Sequence, residues 1–370
     1  MTIDTLYIVS TLRQSGPTNQ LYSLLDHLSA EFDPFVLTLS PEPDDSAAEQ
    51  FKDVEAEFGS LNLSRVAGAT VGPLRLRSAV ETIDPDLIHT QGIRADTLSA
   101  HFLRGYTRLT TIRNNPHKDY PAKYGELQGK VMAWKHLDTY RRLDRTVACS
   151  QTIADQVSEF GITADAIQNG VDCTQYQPAS AAKRHEIRER LGLTRADNVV
   201  VFTGSLIPRK DPQTAIRGFL RSDSAAESTL VLLGDGPLRD DCESIAASHD
   251  NVRLEGWVDN VKEYLRAADC FLSPSKAEGL PNSVMEALAT GLPVCLSDIG
   301  PHREILQYNP EAGTMFHLET ETELATALDA LLAETDGAHS QAAVEIAQNE
   351  LSAKSMSENY QQLYKDAIGR

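Results

Sequence analysis

The sequence predicts an α/β protein made of two doubly wound domains, each with a parallel sheet and helices on both faces. Short β-branched runs alternate with amphipathic helical stretches along almost the whole chain, which is the pattern of parallel sheets. With 370 residues the chain is too long for one ordinary domain and long enough for two sizeable cores.

The predicted strands fall into two sets of five. The first set is Leu6–Ser10, Phe35–Leu39, Asp86–Thr90, Leu109–Ile112 and Arg145–Ser150. The second set is Asn198–Thr203, Thr229–Leu233, Val252–Glu255, Asp269–Ser273 and Pro293–Ser297. We therefore expect a first domain over residues 1–172 and a second over 185–349, with the polar stretch around Pro178–Lys183 as the linker.

Composition excludes several classes of function. The formal charge of −19 argues against general nucleic-acid binding. No apolar run approaches the roughly twenty residues that a membrane span needs. The first residues lack the basic start of a signal peptide. Five cysteines without a Cys-x-x-Cys pair are typical of reduced thiols, so we expect a cytoplasmic protein.

The most informative stretch contains two glutamates eight positions apart, Glu278 and Glu286. Glu278 follows a predicted strand, and Glu286 lies in a helix predicted over Ser283–Thr290. Pro281 prevents one continuous helix through both, so the carboxylates flank a loop at a helix N-terminus. Such a loop can hold phosphate, and a nearby carboxylate can bind hydroxyls. The alternative is a capping box, in which Ser283 and Glu286 close the first turn of their own helix.

This stretch resembles the signature of the retaining glycosyltransferase family 4, which is a Glu, seven residues and a second Glu followed by Ala. The family has the GT-B fold, so the resemblance implies two Rossmann-like domains that face a central cleft. It implies a nucleoside diphosphate sugar as donor and co-substrate, with no cofactor. Glu278 would lie beside the donor sugar, and Glu286 would accept hydrogen bonds from the ribose hydroxyls. Loop amides would also meet the donor, at Gly279, Leu280, Asn282 and Ser283.

The last sixty residues contain two predicted helical segments, Glu319–Glu334 and Gln341–Ala367. In GT-B proteins the final helix returns to the first domain, so the resemblance implies that a helix at about residues 350–370 belongs there. Its apolar side chains would then pack on that domain; they are Leu351, Met356, Tyr360 and Tyr364. The alternative is a helix that stays on the second domain.

A second motif is Phe202-Thr-Gly-Ser-Leu-Ile-Pro-Arg-Lys-Asp-Pro212. Gly204 permits close backbone approach after a strand, and Asp211-Pro212 starts a helix as N-cap and N1. Arg209 and Lys210 precede that helix, where cations are unfavourable unless an anion is bound. The alternative is a solvated surface pair. The motif is similar to the family's diphosphate-binding segment, which implies that both cations stabilise the leaving diphosphate.

Gly234-Asp-Gly236-Pro follows the next predicted strand and opens a helix. Turns of this kind are common between strands and helices. The segment also resembles a family Gly-x-Gly-Pro near the nucleotide, so Gly234 and Gly236 are expected contacts of the donor. The sequence assigns no role to Trp257.

Four residues of the first domain are candidates for the chemistry or for the acceptor side. Gly16 replaces part of the family's glycine-rich loop, although a purely structural turn at Pro17 is the alternative. His89 ends a predicted strand at the edge where open α/β sheets bind ligands, and it is a catalytic candidate or a structural histidine. Arg113 or His117 would replace a family histidine that contacts the donor sugar. A guanidinium there suits an anionic acceptor or sugar.

A metal site is not expected. Asp84-Pro-Asp86 is similar to the Asp-x-Asp of the metal-dependent GT-A glycosyltransferases, but it precedes its strand, at the edge away from the ligand side. The leaving diphosphate would then be neutralised by Arg209, Lys210 and helix dipoles.

Residues 101–150 carry ten Lys or Arg against four acidic residues in a chain of net charge −19. Within them, five apolar side chains recur at helical spacing: Tyr124, Leu127, Val131, Trp134 and Leu137. We expect this segment to rest on an anionic membrane or to meet an anionic glycan. The alternative is an ordinary docked helix with solvated lysines.

Together these patterns predict a glycosyltransferase that moves a sugar from a nucleoside diphosphate donor to a glycan or lipid-linked acceptor with retention. The opening residues Tyr7–Tyr22 resemble bacterial enzymes of surface polysaccharide assembly. We expect a cytoplasmic enzyme with peripheral contact at the inner membrane face and no nucleic-acid partner. A non-hydrolysing nucleotide-sugar epimerase of the same fold and a non-catalytic nucleotide-sugar or glycan-binding protein remain as alternatives.

Overall fold

The structure, a computed structural model, describes residues 2–64, 68, 70–193, 198–333 and 337–369. The chain divides into two compact units. The first combines Met1–Gly170 with Ala353–Arg370, and the second is Val171–Ser352. The stretch around Pro178–Lys183, expected to be a linker, lies within the second unit.

The first unit contains a parallel sheet of seven strands in the order β3-β2-β1-β4-β5-β6-β7. The strands are β1 (Ile3–Val9), β2 (Phe32–Thr38), β3 (Glu57–Ser60), β4 (Leu87–Gln91), β5 (Thr107–Ile112), β6 (Arg145–Ala148) and β7 (Asp165–Ala166). The helices are α1 (Gly16–Asp26), α2 (Gly72–Ile83), α3 (Ile93–Phe102), α4 (Pro116–Tyr124), α5 (Glu126–Tyr140), α6 (Gln151–Ser158) and the last helix of the chain, α15 (Ala353–Ile368).

The second unit contains a parallel sheet of six strands in the order β10-β9-β8-β11-β12-β13. The strands are β8 (Asn198–Thr203), β9 (Ser228–Leu233), β10 (Val252–Gly256), β11 (Cys270–Ser273), β12 (Val294–Ser297) and β13 (Gly313–Phe316). The helices are α7 (Ala181–Leu191), α8 (Pro212–Arg221), α9 (Arg239–Ala246), α10 (Val261–Ala267), α11 (Asn282–Ala289), α12 (Gly300–Leu306), α13 (Glu321–Ala333) and α14 (Ala338–Glu345).

Each sheet has one point where the order of the strands reverses. In the first unit it lies between β1 and β4, and in the second between β8 and β11. Ligands of doubly wound folds bind at this point, outside the carboxyl ends of the strands. The predicted fold class is confirmed, and in the second unit this point lies at the loops after β8 and β11.

The last helix completes the core of the first unit. Met356, Tyr360 and Tyr364 are buried in one apolar cluster with Tyr7 and Leu109 from the sheet. The second unit has its own core around Val200, Phe202, Leu230 and Leu272, which comes from β8, β9 and β11.

The single helix predicted over Gln341–Ala367 is wrong. Helix α14 passes into one π-helical turn at Ile346–Glu350, and α15 starts only at Ala353. Between them, the Leu351 carbonyl accepts a hydrogen bond from the Val171 N–H at 2.8 Å, so Leu351 belongs to the second unit and not to the first. A bridge between Val171 and Ser352 holds the chain extended at this point, which stops the helix.

No helix in the described ranges has the length and hydrophobicity needed to cross a membrane.

Candidate active site

The carboxyl ends of β8, β9 and β11 carry the residues predicted to bind the donor. These three strands are neighbours and run parallel, so the loops that follow them lie at the same edge of the sheet. Gly204 follows β8, Gly234 follows β9, and Glu278 follows β11.

The predicted glycines bring two of these loops into direct contact. The Gly204 N–H donates to the Leu233 carbonyl at 2.9 Å. A Cβ atom at Gly234 would lie 2.0 Å from the Gly204 carbonyl oxygen, and one at Gly236 would lie 2.5 Å from the Leu206 carbonyl oxygen. Gly234 also has a φ of +138°, which other residues rarely adopt. Packing alone therefore requires glycine at positions 234 and 236, and their contact with a donor remains a prediction.

Arg209, Lys210 and Glu278 form one charged cluster. Arg209 Nη1 donates to Glu278 Oε2 at 2.8 Å and to the Ala277 carbonyl at 2.8 Å. Lys210 Nζ lies 2.6 Å from Glu278 Oε1. The side chains of Glu278, Lys210 and Arg209 are 7%, 15% and 33% exposed. The alternative of a solvated Arg-Lys pair is therefore wrong.

The cluster keeps Glu278 ionised. Burial by itself would raise the pKa of this carboxyl, but the charges of Lys210 and Arg209, with hydrogen bonds from Lys210 and Ser275, outweigh burial and lower the pKa to about 2. Two cations thus face one carboxylate, which leaves an excess of one positive charge among these three side chains. Such an arrangement is suited to an anion.

The turn that carries the cations leads into α8, much as the motif predicts. Pro212 is the first residue of the helix, and Asp211 holds the cap position. Asp211 has a left-handed φ of +49° and makes no side-chain bond to the helix backbone. Its carboxylate instead accepts from the Thr214 hydroxyl at 2.8 Å and pairs with Lys276 at 3.3 Å.

Glu286 does not cap its helix. Helix α11 begins at Asn282 with Pro281 at the cap position and no side-chain cap, so Ser283 and Glu286 are not placed for a capping box. The Glu286 carboxyl instead accepts a hydrogen bond from the Tyr176 hydroxyl. Burial raises the pKa of Glu286 to about 7, against the effects of that bond and of Lys262 and Lys210.

The loop between Glu278 and α11 contains the other predicted donor contacts. Gly279 and Leu280 are buried, whereas Asn282 and Ser283 are half-buried on the first turn of the helix. The loop therefore joins the charged cluster to a helix N-terminus, as the sequence predicts.

Sequence reasoning missed three side chains around these glutamates. Tyr176 holds Glu286, and Ser275 donates to Glu278. His302 is fully buried, with Nδ1 2.8 Å from the Ser297 carbonyl and no hydrogen-bond partner for Nε2 among the described residues. Burial lowers the pKa of His302 to about 4, so the ring is neutral at pH 7. None of these three residues lies in a sequence motif that would indicate its role. The one available signal is that Ser275 follows the end of β11 by two residues.

In the first unit, His89 is part of the core. It is fully buried, with Nδ1 2.7 Å from the Tyr364 hydroxyl and Nε2 2.9 Å from the Thr111 hydroxyl. Burial and the charge of Arg113 lower the pKa of His89 to about 3. Since both ring nitrogens are occupied, this geometry contradicts the expected catalytic role. The alternative of a structural histidine fits His89, whose hydrogen bond to Tyr364 connects α15 to the sheet.

Arg113 follows β5 and has only neutral partners among the described residues. Its Nη1 donates to Asn169 Oδ1 at 2.7 Å, and its Nη2 donates to Gln91 Oε1 at 3.1 Å. Its Nε is buried without a partner in the described part of the chain. A partly buried guanidinium held by two amides is suited to an anionic ligand.

His117 and Gly16 both lie at helix N-termini. The His117 ring stacks on Phe160 with centroids 4.3 Å apart, and its backbone N–H donates to the Asn115 cap at 3.0 Å. Gly16 is the first residue of α1, capped by the Ser15 hydroxyl, which fits the structural alternative for this turn. The structure does not bring His117 into contact with Arg113, and the roles of both remain predictions.

Comparison with protein families gives two matches along the chain. The family described as Glycosyltransferase Family 4 matches residues 15–175, and the family described as Glycosyl transferases group 1 matches residues 197–334. The second match contains the charged cluster and both glutamates.

Curated relatives match parts of the chain. The chain is 33% identical over 141 residues to the UDP-Gal:alpha-D-GlcNAc-diphosphoundecaprenol alpha-1,3-galactosyltransferase of Escherichia coli, covering 36% of each protein. It is 27% identical over 246 residues to the lipopolysaccharide core biosynthesis glycosyltransferase LpsE of Rhizobium meliloti, covering 65% of this chain and 62% of the relative. The matches thus span less than two thirds of these relatives.

Solved structures share the fold over the full chain. HepE of Anabaena in complex with UDP has a TM-score of 0.81 at 16% identity, covering 98% of this chain and all of HepE. Sucrose-phosphate synthase of Thermosynechococcus elongatus has a TM-score of 0.82 at 17% identity, covering 99% of each chain. Because the two family matches together cover most of the sequence and the fold agrees, the chain belongs to glycosyltransferase family 4 and has the GT-B fold.

Proposed function

We propose that this protein is a retaining glycosyltransferase that moves a sugar from a nucleoside diphosphate sugar to a glycan or lipid-linked acceptor in cell-surface polysaccharide biosynthesis. The observation that carries the proposal is the cluster of Arg209, Lys210 and Glu278 at the reversal point of the second sheet. Its excess positive charge lies where doubly wound folds bind ligands, next to a helix N-terminus.

In the proposed reaction the protein supplies positioning and charge rather than a nucleophile. The acceptor hydroxyl oxygen forms a bond to the anomeric carbon on the face from which the diphosphate leaves. The bond between that carbon and the diphosphate oxygen breaks, and the departing oxygen takes the hydroxyl proton. Arg209 and Lys210 stabilise the negative charge that develops on the diphosphate.

The two glutamates have different tasks in this proposal. Glu278 holds both cations in place, because its carboxylate stays ionised between them. In the proposal the same side chain lies beside the donor sugar. Glu286 accepts hydrogen bonds from the ribose hydroxyls, oriented by Tyr176. No separate cofactor enters the proposal.

The acceptor class rests on the relatives. The Escherichia coli relative is named for transfer to a diphosphoundecaprenol-linked sugar, and the Rhizobium relative for lipopolysaccharide core biosynthesis. The first name describes a lipid-linked acceptor and the second describes lipopolysaccharide synthesis, which favours a glycan or lipid-linked acceptor here.

The test is a donor screen followed by a transfer assay. Each nucleoside diphosphate sugar is added to the protein, and a bound donor raises the melting temperature by mass action. The donor with the largest shift is then incubated with lipid-linked and free glycan acceptors, and the anomeric configuration of the product is read by NMR. Transfer with inversion would overturn retention. A changed sugar without any acceptor would identify an epimerase, and binding without turnover would identify a non-catalytic protein.

A further inference from the structure

Helix α5 has apolar side chains on two faces, although only one face packs against the protein. The inner face is buried through Gly129, Ala133, His136 and Tyr140. The outer face presents three apolar side chains at positions i, i+4 and i+7. These are Leu127, Val131 and Trp134, which are 81%, 48% and 63% exposed.

These three residues form one stripe on α5, and Tyr124, the last residue of α4, precedes Leu127 by three positions. At about 100° per residue, positions 127, 131 and 134 fall within a narrow sector of the helix. Tyr124 is 40% exposed. Leu137, expected on the same face, is rotated away and buried. Helix α5 is docked through its inner face, as the alternative expects, but the apolar side chains of this stripe face away from the protein.

Lysines border the stripe. Lys130 and Lys135 lie on either side of it along α5, and the Lys123 ammonium lies 5.4 Å from the centroid of the Tyr124 ring. Lys130 pairs with Glu126 at 2.6 Å, whereas Lys123 and Lys135 have no carboxylate partner among the described residues. Residues 116–142 carry six Lys or Arg against three acidic residues, in a chain of net charge −19.

We propose that Tyr124, Leu127, Val131 and Trp134, with Lys123, Lys130 and Lys135, form a docking surface for an anionic phospholipid bilayer. The stripe enters the boundary between headgroups and acyl chains, where a tryptophan ring is stable at the interface. The lysine stems lie along the membrane while their ammonium groups reach the anionic headgroups. This surface rests on the proposed function, since it would hold the enzyme where a lipid-linked acceptor is embedded.

Other occupants fit these side chains less well. In a symmetric contact between two copies, the same basic surface would face itself and the lysines would repel one another. A soluble polyanionic glycan would engage the lysines but leave Leu127 and Val131 in water. An anionic bilayer is the partner that matches both the apolar stripe and the positive border.

The first experiment uses Trp134 as its own reporter. The chain has two tryptophans, so Trp257→Phe leaves Trp134 as the only one. We expect its fluorescence to shift to shorter wavelength when vesicles of phosphatidylglycerol and phosphatidylcholine are added. Vesicles of phosphatidylcholine alone should give a much smaller shift, and added salt should reverse the shift partly, because the Debye length falls from about 10 Å at 0.1 M to about 3 Å at 1 M. An unchanged spectrum with anionic vesicles at low salt would overturn the proposal.

The second experiment compares matched variants by vesicle co-sedimentation. Leu127→Glu should lower the partition coefficient by on the order of tenfold, because it removes apolar area that the bilayer would cover and adds a negative charge that the anionic headgroups repel. Lys123→Gln and Lys135→Gln should each lower it about fivefold. Leu74→Glu is the control, since Leu74 is 73% exposed on α2 of the same unit. Equal loss in Leu74→Glu and Leu127→Glu would contradict a specific surface.

Two further readouts separate this surface from the proposed function. Transfer to a soluble acceptor fragment should be unchanged in Leu127→Glu, because the substitution lies outside the proposed donor site. Vesicle binding without any sugar transfer would support the surface and overturn only the function. Light scattering that shows a dimer dissolved by Leu127→Glu, or glycan binding without vesicle binding, would overturn the bilayer as the partner.

Discussion

The buried carboxylate of Glu278 determines how each neighbouring cation responds to substitution. Lys210→Ala removes one of the two cations from Glu278, whose side chain is 7% exposed. A buried charge left without any partner costs about 3–5 kcal/mol, and the cost here should be smaller because Arg209 still pairs with the carboxylate. Arg209 is more exposed, so Arg209→Ala should destabilise the protein less. We expect both variants to lose two to three orders of magnitude in turnover, about what one lost contact to a developing oxyanion costs. Urea unfolding and transfer kinetics measure the two effects separately.

A double variant separates stability from chemistry at the same site. Lys210→Met combined with Glu278→Gln removes both charges, so it should recover much of the stability lost in Lys210→Ala. Turnover should stay low, because no ammonium faces the leaving group. Near-normal turnover in the double variant would mean that Lys210 takes no part in the reaction.

Glu286 gives the site a dependence on pH. Its pKa is raised from 4.5 to about 7 in the folded chain. Between these values the unfolded chain has released the proton and the folded chain has kept it, so the free energy of unfolding should fall as pH rises from 4.5 to about 7. Donor affinity should rise over the same pH range, because the ionised carboxylate can accept hydrogen bonds from two ribose hydroxyls and the protonated carboxyl is partly a donor.

Calorimetry of donor binding at about pH 6 and about pH 8 tests this behaviour, with an expected gain of about tenfold at the higher pH. The ligand should be the intact nucleoside diphosphate sugar, because a free terminal phosphate titrates at about pH 6 by itself. Glu286→Gln is the control and should bind weakly with no pH dependence. The same gain in Glu286→Gln would assign the titration to another group.

At the scale of elements, the ten predicted strands are all present, and the three further strands in the described part of the chain lie at the edges of the sheets. Central strands are continuous apolar runs because both faces are buried. β3 is largely exposed and β7 has only two residues, so neither has such a run. An edge strand depends on hydrogen bonds to the neighbouring strand of the sheet. That neighbour is distant in sequence, so the local pattern does not predict the edge strand.

The same reason separates the predictable and unpredictable parts of the site. The motifs identify Arg209, Lys210 and Glu278 because each lies beside a strand end or a helix start, and they identify Glu286 because it follows Glu278 by eight positions. The bond from Tyr176 to Glu286 joins distant segments of the second unit, and no local pattern encodes it. For His89 the local pattern wrongly suggests a functional residue. Its position at a strand end does not reveal that the hydroxyls of Tyr364 and Thr111 occupy both ring nitrogens.

The contact between the loops after β8 and β9 yields a prediction about elements. Gly234→Ala would place a Cβ 2.0 Å from the Gly204 carbonyl oxygen at a φ of +138°. The unfavourable backbone alone costs about 1–3 kcal/mol, and relief of the clash would separate the loops. We expect a loss of more than about 2 kcal/mol in urea unfolding together with weaker donor binding.

Gly105→Ala is the matched control for this substitution. A Cβ atom there meets nothing within 4 Å. Its effect should stay within about 0.5 kcal/mol, as for most surface substitutions. If Gly234→Ala were equally harmless, the close approach of the two loops would not be required for stability.

At the scale of the whole molecule, each unit has a core of its own, but the first unit takes part of its core from the end of the chain. Met356, Tyr360 and Tyr364 each contribute about 1.5–3 kcal/mol by burial. Together this is comparable with the net stability of a domain, about 5–15 kcal/mol. Loss of α15 would also leave the buried Nδ1 of His89 without its Tyr364 partner.

The fragments of the chain should therefore behave differently. Residues 171–352 contain a complete sheet and the whole charged cluster, so this fragment should unfold cooperatively and be stabilised by a nucleoside diphosphate. Residues 1–170 should fail to give a cooperative transition by circular dichroism. Joining Gly170 to Ala353 through a few Gly and Ser residues should restore it, since the Val171 N–H and the Leu351 carbonyl oxygen that flank these ends are 2.8 Å apart. Cooperative unfolding of residues 1–170 alone, at the stability of the joined fragment, would show that α15 adds nothing to the first core.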